Sequence, residues 1–140
     1  MFTERQPRRE IIFDELYIAN RNGSLIKQPT IYIYGDCLFE SPIQTKKIKI
    51  KATNNPIIGG NSFPTIEPIL YNEEYLKRKH LHFIVKDLSL KDQEQLKGQC
   101  SLSLEEAVEI PYYFTVPLYL HTKYVGDLSG IVQIRLKKLY

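Results

Sequence analysis

The sequence predicts an all-β protein, an antiparallel sandwich of eight strands with short helical insertions in its loops. Short runs rich in Tyr, Ile, Val and Thr, the residues that suit a pleated, half-buried surface, alternate with turn residues. These runs are residues 11–19, 29–34, 45–52, 65–70, 81–86, 99–104, 112–120 and 131–139. Because no helical pattern is long, we expect strands packed on strands.

Turn residues separate these runs and mark where the chain reverses. They are Asn22-Gly23, Ser41-Pro42, residues 54–60, Pro64, Pro111 and residues 126–130. Two short helices are expected in the loops, at residues 72–79 and 104–110. The second would begin after Ser103, with Glu106 three residues later, which is the spacing of a capping box.

Composition favours a single domain that needs no disulfide bond or bound metal to hold it together. A chain of 140 residues with 43% hydrophobic residues buries enough surface for a single core. We expect residues 1–9 to form a polar arm and residues 10–140 a single domain. The formal charge of +3 is too small to predict nucleic-acid binding. Without a signal-peptide pattern or an apolar run of membrane length, a cytoplasmic chain is expected.

The second half of the chain contains an ordered set of strand and loop motifs. A strand ending in Val85-Lys-Asp87 leads to a polar loop, Gly98 restarts a strand, and Gly130 opens the closing one. This order resembles that of a C2 domain. The earlier part of the chain follows the family's order as well. The opening strand corresponds to residues 16–19 and the Asp-Pro-Tyr-Val pattern to residues 28–33. The threonine strand corresponds to residues 45–51, the Asn-Pro turn to residues 54–56, and the aromatic residue after it to Phe63. The resemblance covers roughly residues 10–139 and implies a C2-like sandwich. The alternatives are a jelly roll or an immunoglobulin-like domain, although the Cys-Trp-Cys pattern of the latter is excluded because the chain has no Trp.

The resemblance also predicts degenerate calcium loops. Ca²⁺ takes six to eight oxygen ligands, and C2 domains that bind it supply several aspartates from two loops. Here Asp87 holds the first aspartate position of the later loop, but Ser89 follows two residues on, and Asp92 comes at a shifted spacing. In the earlier loop Gln28 precedes the proline instead of an aspartate. We therefore expect no functional calcium site, and interpret Asp87 as a structural carboxylate that accepts loop N–H groups.

A basic run at residues 45–51 supplies the candidate binding site. The period of a strand places Lys47, Lys49 and Lys51 on one face. In many C2 domains this strand carries a lysine cluster for phosphoinositide headgroups, so these three residues are the candidate lipid-binding residues. Residues 77–79 extend the patch if the fold brings them alongside. The alternative is an edge strand that its lysines keep soluble.

Metal binding and catalysis have no support in the sequence. His80 and His82 have the spacing of two ligands on a strand face, yet no third ligand is identifiable. Cys37 and Cys100 have no metal-ligand spacing and are expected to be buried thiols. No nucleophile, base or paired acids have a local signature, and we expect no enzyme activity and no cofactor.

Two functions from different classes remain. The first is a calcium-independent adaptor that binds anionic phospholipid membrane, protein partners or both. The second is a structural subunit of a larger ciliary, cytoskeletal or trafficking assembly. The ten tyrosines fit either exposed residues at a protein interface or large aromatic residues at the rims of a thin sandwich. The corresponding locations are the cytoplasm, the membrane periphery, the cytoskeleton or the cilium.

Overall fold

The structure is a computed structural model that describes residues 7–35, 38–39, 43–46, 50–64, 66–90, 93–108 and 110–137. Its strands are β1 (Arg9–Asn20), β2 (Pro29–Gly35), β3 (Ile43–Gln44), β4 (Ile57–Gly59), β5 (His80–Leu90), β6 (Gln93–Ser103), β7 (Tyr112–Leu120) and β8 (Lys123–Leu136). A 3₁₀ turn at Gly60–Ser62 and one helix, α1 (Glu73–Lys77), lie between β4 and β5.

The strands follow the order β3-β2-β5-β6-β7-β8-β1-β4, and every pairing between them is antiparallel. We call β3-β2-β5-β6 the first sheet and β7-β8-β1-β4 the second sheet, because β6 and β7 share a single residue pair, Gln99 with Tyr119. The first sheet folds over the second, since Phe83 of β5 contacts Phe13 of β1 although three strands separate them in the order. The predicted antiparallel sandwich of eight strands is confirmed.

The core lies between the two sheets and shows the alternation that the sequence predicts. On β5, Leu81, Phe83 and Val85 are fully buried, while His82 and Ile84 face outward and are half-buried. The ring of Phe83 meets Phe13 edge-on at 5.8 Å between centroids and stacks on Phe114 of β7 at 6.3 Å. Truncation of such a side chain to alanine lowers the free energy of unfolding by about 3–5 kcal/mol.

Strand β8 begins earlier than the sequence predicts. Residues 126–130, expected to be a turn, lie inside β8, which starts at Lys123. The reason is close backbone contact: a Cβ at Gly126 would overlap the carbonyl oxygen of Ala19, and one at Gly130 would lie 2.6 Å from that of Glu15. The two glycines therefore mark where the backbone of β1 approaches β8 closely, which is one of the roles of glycine within a strand.

Two predicted strands are wrong as drawn. The described part of residues 45–52 is not a strand beyond β3, because the Thr45 hydroxyl accepts the N–H of Ile31 at 2.9 Å in place of a main-chain carbonyl. Residues 47–49 lie outside the described chain. Of the run 65–70, Ile66 makes only an isolated bridge with Ile11, since the prolines at positions 64 and 68 have no N–H for a ladder.

The first predicted helix is confirmed and the second is wrong. Asn72 caps α1 by accepting the N–H of Tyr75 at 3.0 Å. At 104–108 the described chain turns without a helix, and the hydroxyl of Ser103 accepts the N–H of Glu105 at 3.2 Å. This local bond competes with the helix that the capping-box spacing predicts.

Candidate functional site

Several connections meet at one end of the sandwich, which we call the loop end. It comprises residues 21–28 between β1 and β2, residues 50–56 before β4, the C-terminal part of β5 and the turn between β7 and β8. Ile26 bridges Thr53, and the N–H of Ile50 donates to the carbonyl of Lys27 at 2.9 Å. The N–H of Leu88 donates to the carbonyl of Gln28 at 3.1 Å, so the β1–β2 loop lies next to both residues 50–53 and the end of β5.

Asp87 lies fully buried at the base of the loop end. Its Oδ1 accepts the N–H of Gln28 at 2.6 Å, and the N–H of Lys27 lies 3.2 and 3.3 Å from its two oxygens. These bonds tie the end of the β1–β2 loop to β5. The carboxylate oxygens are thus engaged by main-chain donors, and the side chain is closed off from solvent.

The other predicted calcium-loop positions do not surround Asp87 with oxygen ligands. Gln28 is half-buried and contributes its N–H to Asp87. The backbone of Ser89 lies in β5, which continues to Leu90 where a loop was expected, and Asp92 lies outside the described residues. Within the described ranges, no three His, Cys, Asp or Glu side chains are arranged to hold a metal ion.

Lys97 is a buried cation that sequence reasoning missed. It is the extra residue of a bulge, because Gly98 pairs with Val85 and Leu96 with Lys86. The bulge directs its side chain inward, where it is 7% exposed, and its Nζ lies 3.3 Å from the hydroxyl of Ser24 in the β1–β2 loop. A lysine in an alternating polar run carries no signal of this, since only the register shift changes the side to which it points.

The surface of the loop end is basic. Lys27, Lys51 and Lys123 are exposed, and none of them forms an ion pair with a carboxylate of the described chain. Arg21 lies 3.4 Å from Asp127 and is neutralised by it. The unpaired lysines therefore give this end a local excess of positive charge.

An apolar side chain lies among these cations. Leu25 is 54% exposed at the tip of the β1–β2 loop, two residues before Lys27. An exposed leucine beside unpaired lysines suits the boundary between headgroups and acyl chains, where both can be accommodated. The sequence analysis did not single out Leu25, and only its exposure in the folded loop identifies it.

The predicted lysine cluster is only partly described. Lys51 is exposed at the loop end, whereas Lys47 and Lys49 lie outside the described residues. Residues 77–79, which the sequence offered as an extension, lie at the opposite end of the sandwich, because they precede β5 while Asp87 comes eight residues into it. That length of strand is roughly 25 Å, so residues 77–79 do not extend a patch around Lys51.

A second basic residue, Lys86, is neutralised on the outer face of the first sheet. Its Nζ lies 3.7 Å from Glu94 and 4.8 Å from the ring centroid of Tyr32. The Tyr32 hydroxyl donates to the same carboxylate at 2.6 Å. Burial, followed by this hydrogen bond to Glu94, raises the pKa of Tyr32 to about 12. This face therefore does not add free cations to the loop end.

The histidines and the described cysteine have structural surroundings. The Nδ1 of His82 lies 2.7 Å from the hydroxyl of Ser101 on the neighbouring strand. Burial raises the pKa of the Cys100 thiol to about 12, so at neutral pH it is protonated and a poor nucleophile. Cys37 lies outside the described residues. No described helix is long and apolar enough to cross a membrane.

Comparison with known proteins identifies the fold. No family model matches the chain, and no curated protein sequence matches it. Among solved structures, the first C2 domain, domain A, of plant extended synaptotagmin 1 is similar with a TM-score of 0.67 and 18% identity, over 96% of this chain and 99% of that one. Another C2 domain is similar with a TM-score of 0.58 and 11% identity, over 92% and 98%.

A third structure, human GIVD cytosolic phospholipase A2, is similar with a TM-score of 0.62 and 11% identity, over 96% of this chain. The match spans only 18% of the phospholipase. At these identities the likeness shows the fold alone. The fold of this chain is that of a C2 domain, and the C2 resemblance stated from the sequence is confirmed.

Proposed function

We propose that this chain is a non-catalytic C2-type adaptor whose loop end attaches to anionic phospholipid membrane without calcium. The observation that carries the proposal is the state of Asp87: its oxygens accept the main-chain N–H groups of Lys27 and Gln28, while the lysines exposed at the same end of the sandwich form no ion pair with a described carboxylate. In this arrangement the positive charge of the loop end comes from side chains and needs no bound cation.

The expected affinity is modest. Each basic residue near an anionic leaflet contributes on the order of 1 kcal/mol, and burying the exposed part of Leu25 contributes about 1 kcal/mol more. Lys27, Lys51 and Lys123 with Leu25 thus supply about 4 kcal/mol, which corresponds to a dissociation constant near the millimolar range. Lys47 and Lys49 remain candidate lipid-binding residues, and their contribution would strengthen the binding and lower the dissociation constant.

Liposome flotation with matched charge reversals tests the proposal. We expect the wild-type chain to float with vesicles that contain phosphatidylserine and phosphoinositide at low salt, and Lys27→Glu with Lys51→Glu to lower the bound fraction at least fivefold. The control, Lys77→Glu with Lys79→Glu, makes the same charge change at the opposite end and should float like wild type. Equal losses in both double variants would mean that net charge, and not the loop end, drives binding.

A second candidate function is that of a structural subunit in a protein assembly. It is favoured by exposed tyrosines on the second sheet, where Tyr17 is 45% and Tyr113 74% exposed, because tyrosine is enriched in protein interfaces. In either function we place the chain in the cytoplasm, at the membrane periphery or on a cytoskeletal or ciliary structure. Failure of the wild type to float at low salt would favour this second function over the first.

A further inference from the structure

The outer face of the second sheet carries large apolar and aromatic side chains that no described segment covers. Ile57 of β4 pairs with Tyr17 of β1, and Ile131 of β8 pairs with Tyr113 of β7. Ile57 is 52%, Tyr17 45% and Tyr113 74% exposed, while Ile131 is half-buried. Because β4, β1, β8 and β7 are successive strands, these side chains lie side by side across the sheet. An exposed surface of this kind is typical of protein interfaces.

A bulge in β1 brings two acidic residues to the middle of this face. The pairing of β1 with β8 shifts by one residue here, so that Asp14 and Glu15 together lie opposite the single residue Ile131. Both acidic residues are exposed. Two glycines hold the bulge closely: a Cβ at Gly60 would lie 2.5 Å from the carbonyl oxygen of Asp14, and one at Gly130 would lie 2.6 Å from that of Glu15. Bulges often re-aim side chains next to functional sites.

The bulge forms one wall of a small pocket, which we call the acidic socket. It is lined by Asp14, Glu15, Tyr17 and Ile131 and has a volume of about 150 Å³. A cavity of that size holds one benzene-sized group, so the socket accepts a single side chain. The Tyr17 hydroxyl donates a hydrogen bond to Oε2 of Glu15. This bond orients the Glu15 carboxylate beside the Tyr17 ring before any partner arrives.

The negative charge of the acidic socket is not neutralised within the described chain. Neither Asp14 nor Glu15 forms an ion pair with a described cation, whereas Glu10 on the same strand pairs with Arg135 at 3.2 Å. A metal ion does not fit the socket, because no three metal-ligating side chains are grouped among the described residues. Charge complementarity therefore favours a cationic side chain from a partner.

The lining of the socket suits arginine better than lysine. A guanidinium group has a planar set of donors that matches carboxylates, stacks on aromatic rings and is more weakly hydrated than an ammonium group. In the socket, the carboxylates of Asp14 and Glu15 would accept its N–H groups, and the ring of Tyr17 would pack against its face. The aliphatic part of the side chain would lie on Ile131.

We propose that the acidic socket binds an arginine side chain of a partner protein, and that apolar residues beside that arginine cover Ile57 and Tyr113. The proposal rests on the second candidate function, to which it assigns a site and a kind of partner. It does not depend on lipid attachment, because no lysine of the loop end lines the socket. Liposome flotation and partner binding can therefore fail separately.

The test selects random 12-residue peptides displayed on phage against the full chain and measures binding of the enriched peptide, once synthesised, by fluorescence anisotropy. We expect the enriched sequences to share an arginine flanked by apolar residues. Replacing that arginine with citrulline, which has the same shape but no charge, should weaken binding at least tenfold. The loop-end variant Lys27→Glu with Lys51→Glu should bind the peptide within twofold of wild type.

Matched variants of the chain locate the contact. Asp14→Asn with Glu15→Gln should weaken binding of the peptide at least tenfold. The control, Glu105→Gln with Glu106→Gln, removes two exposed carboxylates that do not line the socket and should stay within twofold of wild type. For the apolar flank, Tyr113→Ala should weaken binding at least threefold.

NMR of the wild-type chain gives a readout that does not depend on the folding of any variant. Addition of the peptide should shift the amide resonances of residues 14–17 and 131 and leave those of the loop end, residues 21–28, unchanged. Thermal melting of the variants shows whether each remains folded, which we expect because the replaced side chains are exposed.

Any of five results would overturn the proposal. The selection enriches no peptide, or it enriches peptides without a basic residue. The citrulline peptide, or the chain with Asp14→Asn and Glu15→Gln, binds as well as the unmodified pair. The shifted resonances lie outside the second sheet. Finally, sedimentation reveals a dimer that Asp14→Asn with Glu15→Gln dissociates, which would make the occupant a second copy of the chain.

Discussion

Asp87 is the residue whose replacement tests the organisation of the loop end most sharply. In Asp87→Ala, the N–H groups of Lys27 and Gln28 lose their acceptor inside a buried site. Hydrogen bonds to a charged group contribute roughly 1.5–3 kcal/mol each. The bond from Gln28 is short at 2.6 Å, whereas that from Lys27 is divided between two oxygens at 3.2 and 3.3 Å and counts as a weak one. Truncation also removes the cost of keeping a carboxylate away from water, which leaves an expected loss of about 2–4 kcal/mol.

Equilibrium unfolding in urea measures this loss. Far-UV circular dichroism and tyrosine fluorescence report the transition, since the chain has ten Tyr and no Trp. Asp87→Asn retains one acceptor oxygen and should cost about half as much. The control Asp127→Ala removes a partly exposed carboxylate that pairs with Arg21 at 3.4 Å and should cost at most about 1 kcal/mol. A loss below about 1 kcal/mol in Asp87→Ala, or one equal to that of the control, would refute the structural role.

Three further outcomes are expected. Phe83→Ala should lower the free energy of unfolding by about 3–5 kcal/mol, and His82→Ala by about 1 kcal/mol or less; equal losses in urea unfolding would contradict the inward and outward faces of β5. Because its pKa is raised to about 12, Cys100 should react with iodoacetamide at pH 8 at least about a thousandfold more slowly in the native than in the unfolded chain, measured with the other cysteine replaced by serine; similar rates would mean an exposed thiol. Gly126→Ala should cost about 3 kcal/mol because the added Cβ meets the backbone of β1, and Gly23→Ala, with open space around it, about 1 kcal/mol; the reverse order would show that this close contact is absent.

The parts of the fold that sequence predicts well are those decided by local pattern. Residues 81–86 alternate between apolar and polar or half-buried positions, and β5 follows that alternation across both faces. Residues 112–120 were bounded correctly because Pro111 stops the chain on one side and the turn after Leu120 on the other. Asn72 was identifiable as a helix start for the same reason, since a cap is a contact between near neighbours.

The parts that sequence mispredicts are decided by partners far away in the chain. From sequence alone Gly126 is taken for a turn residue, but in the fold it lies against the backbone of β1. Lys97 is likewise taken for a surface lysine, but the bulge in β6 directs it toward Ser24. The hydroxyl of Thr45 ends β3 by bonding across to β2. A register shift, a close backbone contact or a side chain that replaces a main-chain hydrogen bond does not alter the pattern of apolar and polar residues, so the sequence does not show it.

The sequence pointed to a basic candidate site but missed several residues that the folded loops expose there. Asp87 was interpreted as a structural carboxylate because the sequence supplies no further aspartates at ligand spacing, and its oxygens accept the N–H groups of Lys27 and Gln28. The exposed Leu25 and the unpaired Lys123 were not identified, since exposure depends on which loops meet. They lie at the same end as Lys51 only because the fold brings the β1–β2 loop, residues 50–56 and the β7–β8 turn together.

The most direct test of calcium-independent attachment is flotation of the wild-type chain with vesicles containing phosphatidylserine and phosphoinositide, once with chelator and once with millimolar Ca²⁺, at the same low ionic strength. If side chains supply the positive charge of the loop end, the bound fraction will be the same in both conditions and will fall as salt is raised. Binding that appears only with Ca²⁺ would contradict the account, because the oxygens of Asp87 would then have to release the main chain and coordinate the ion.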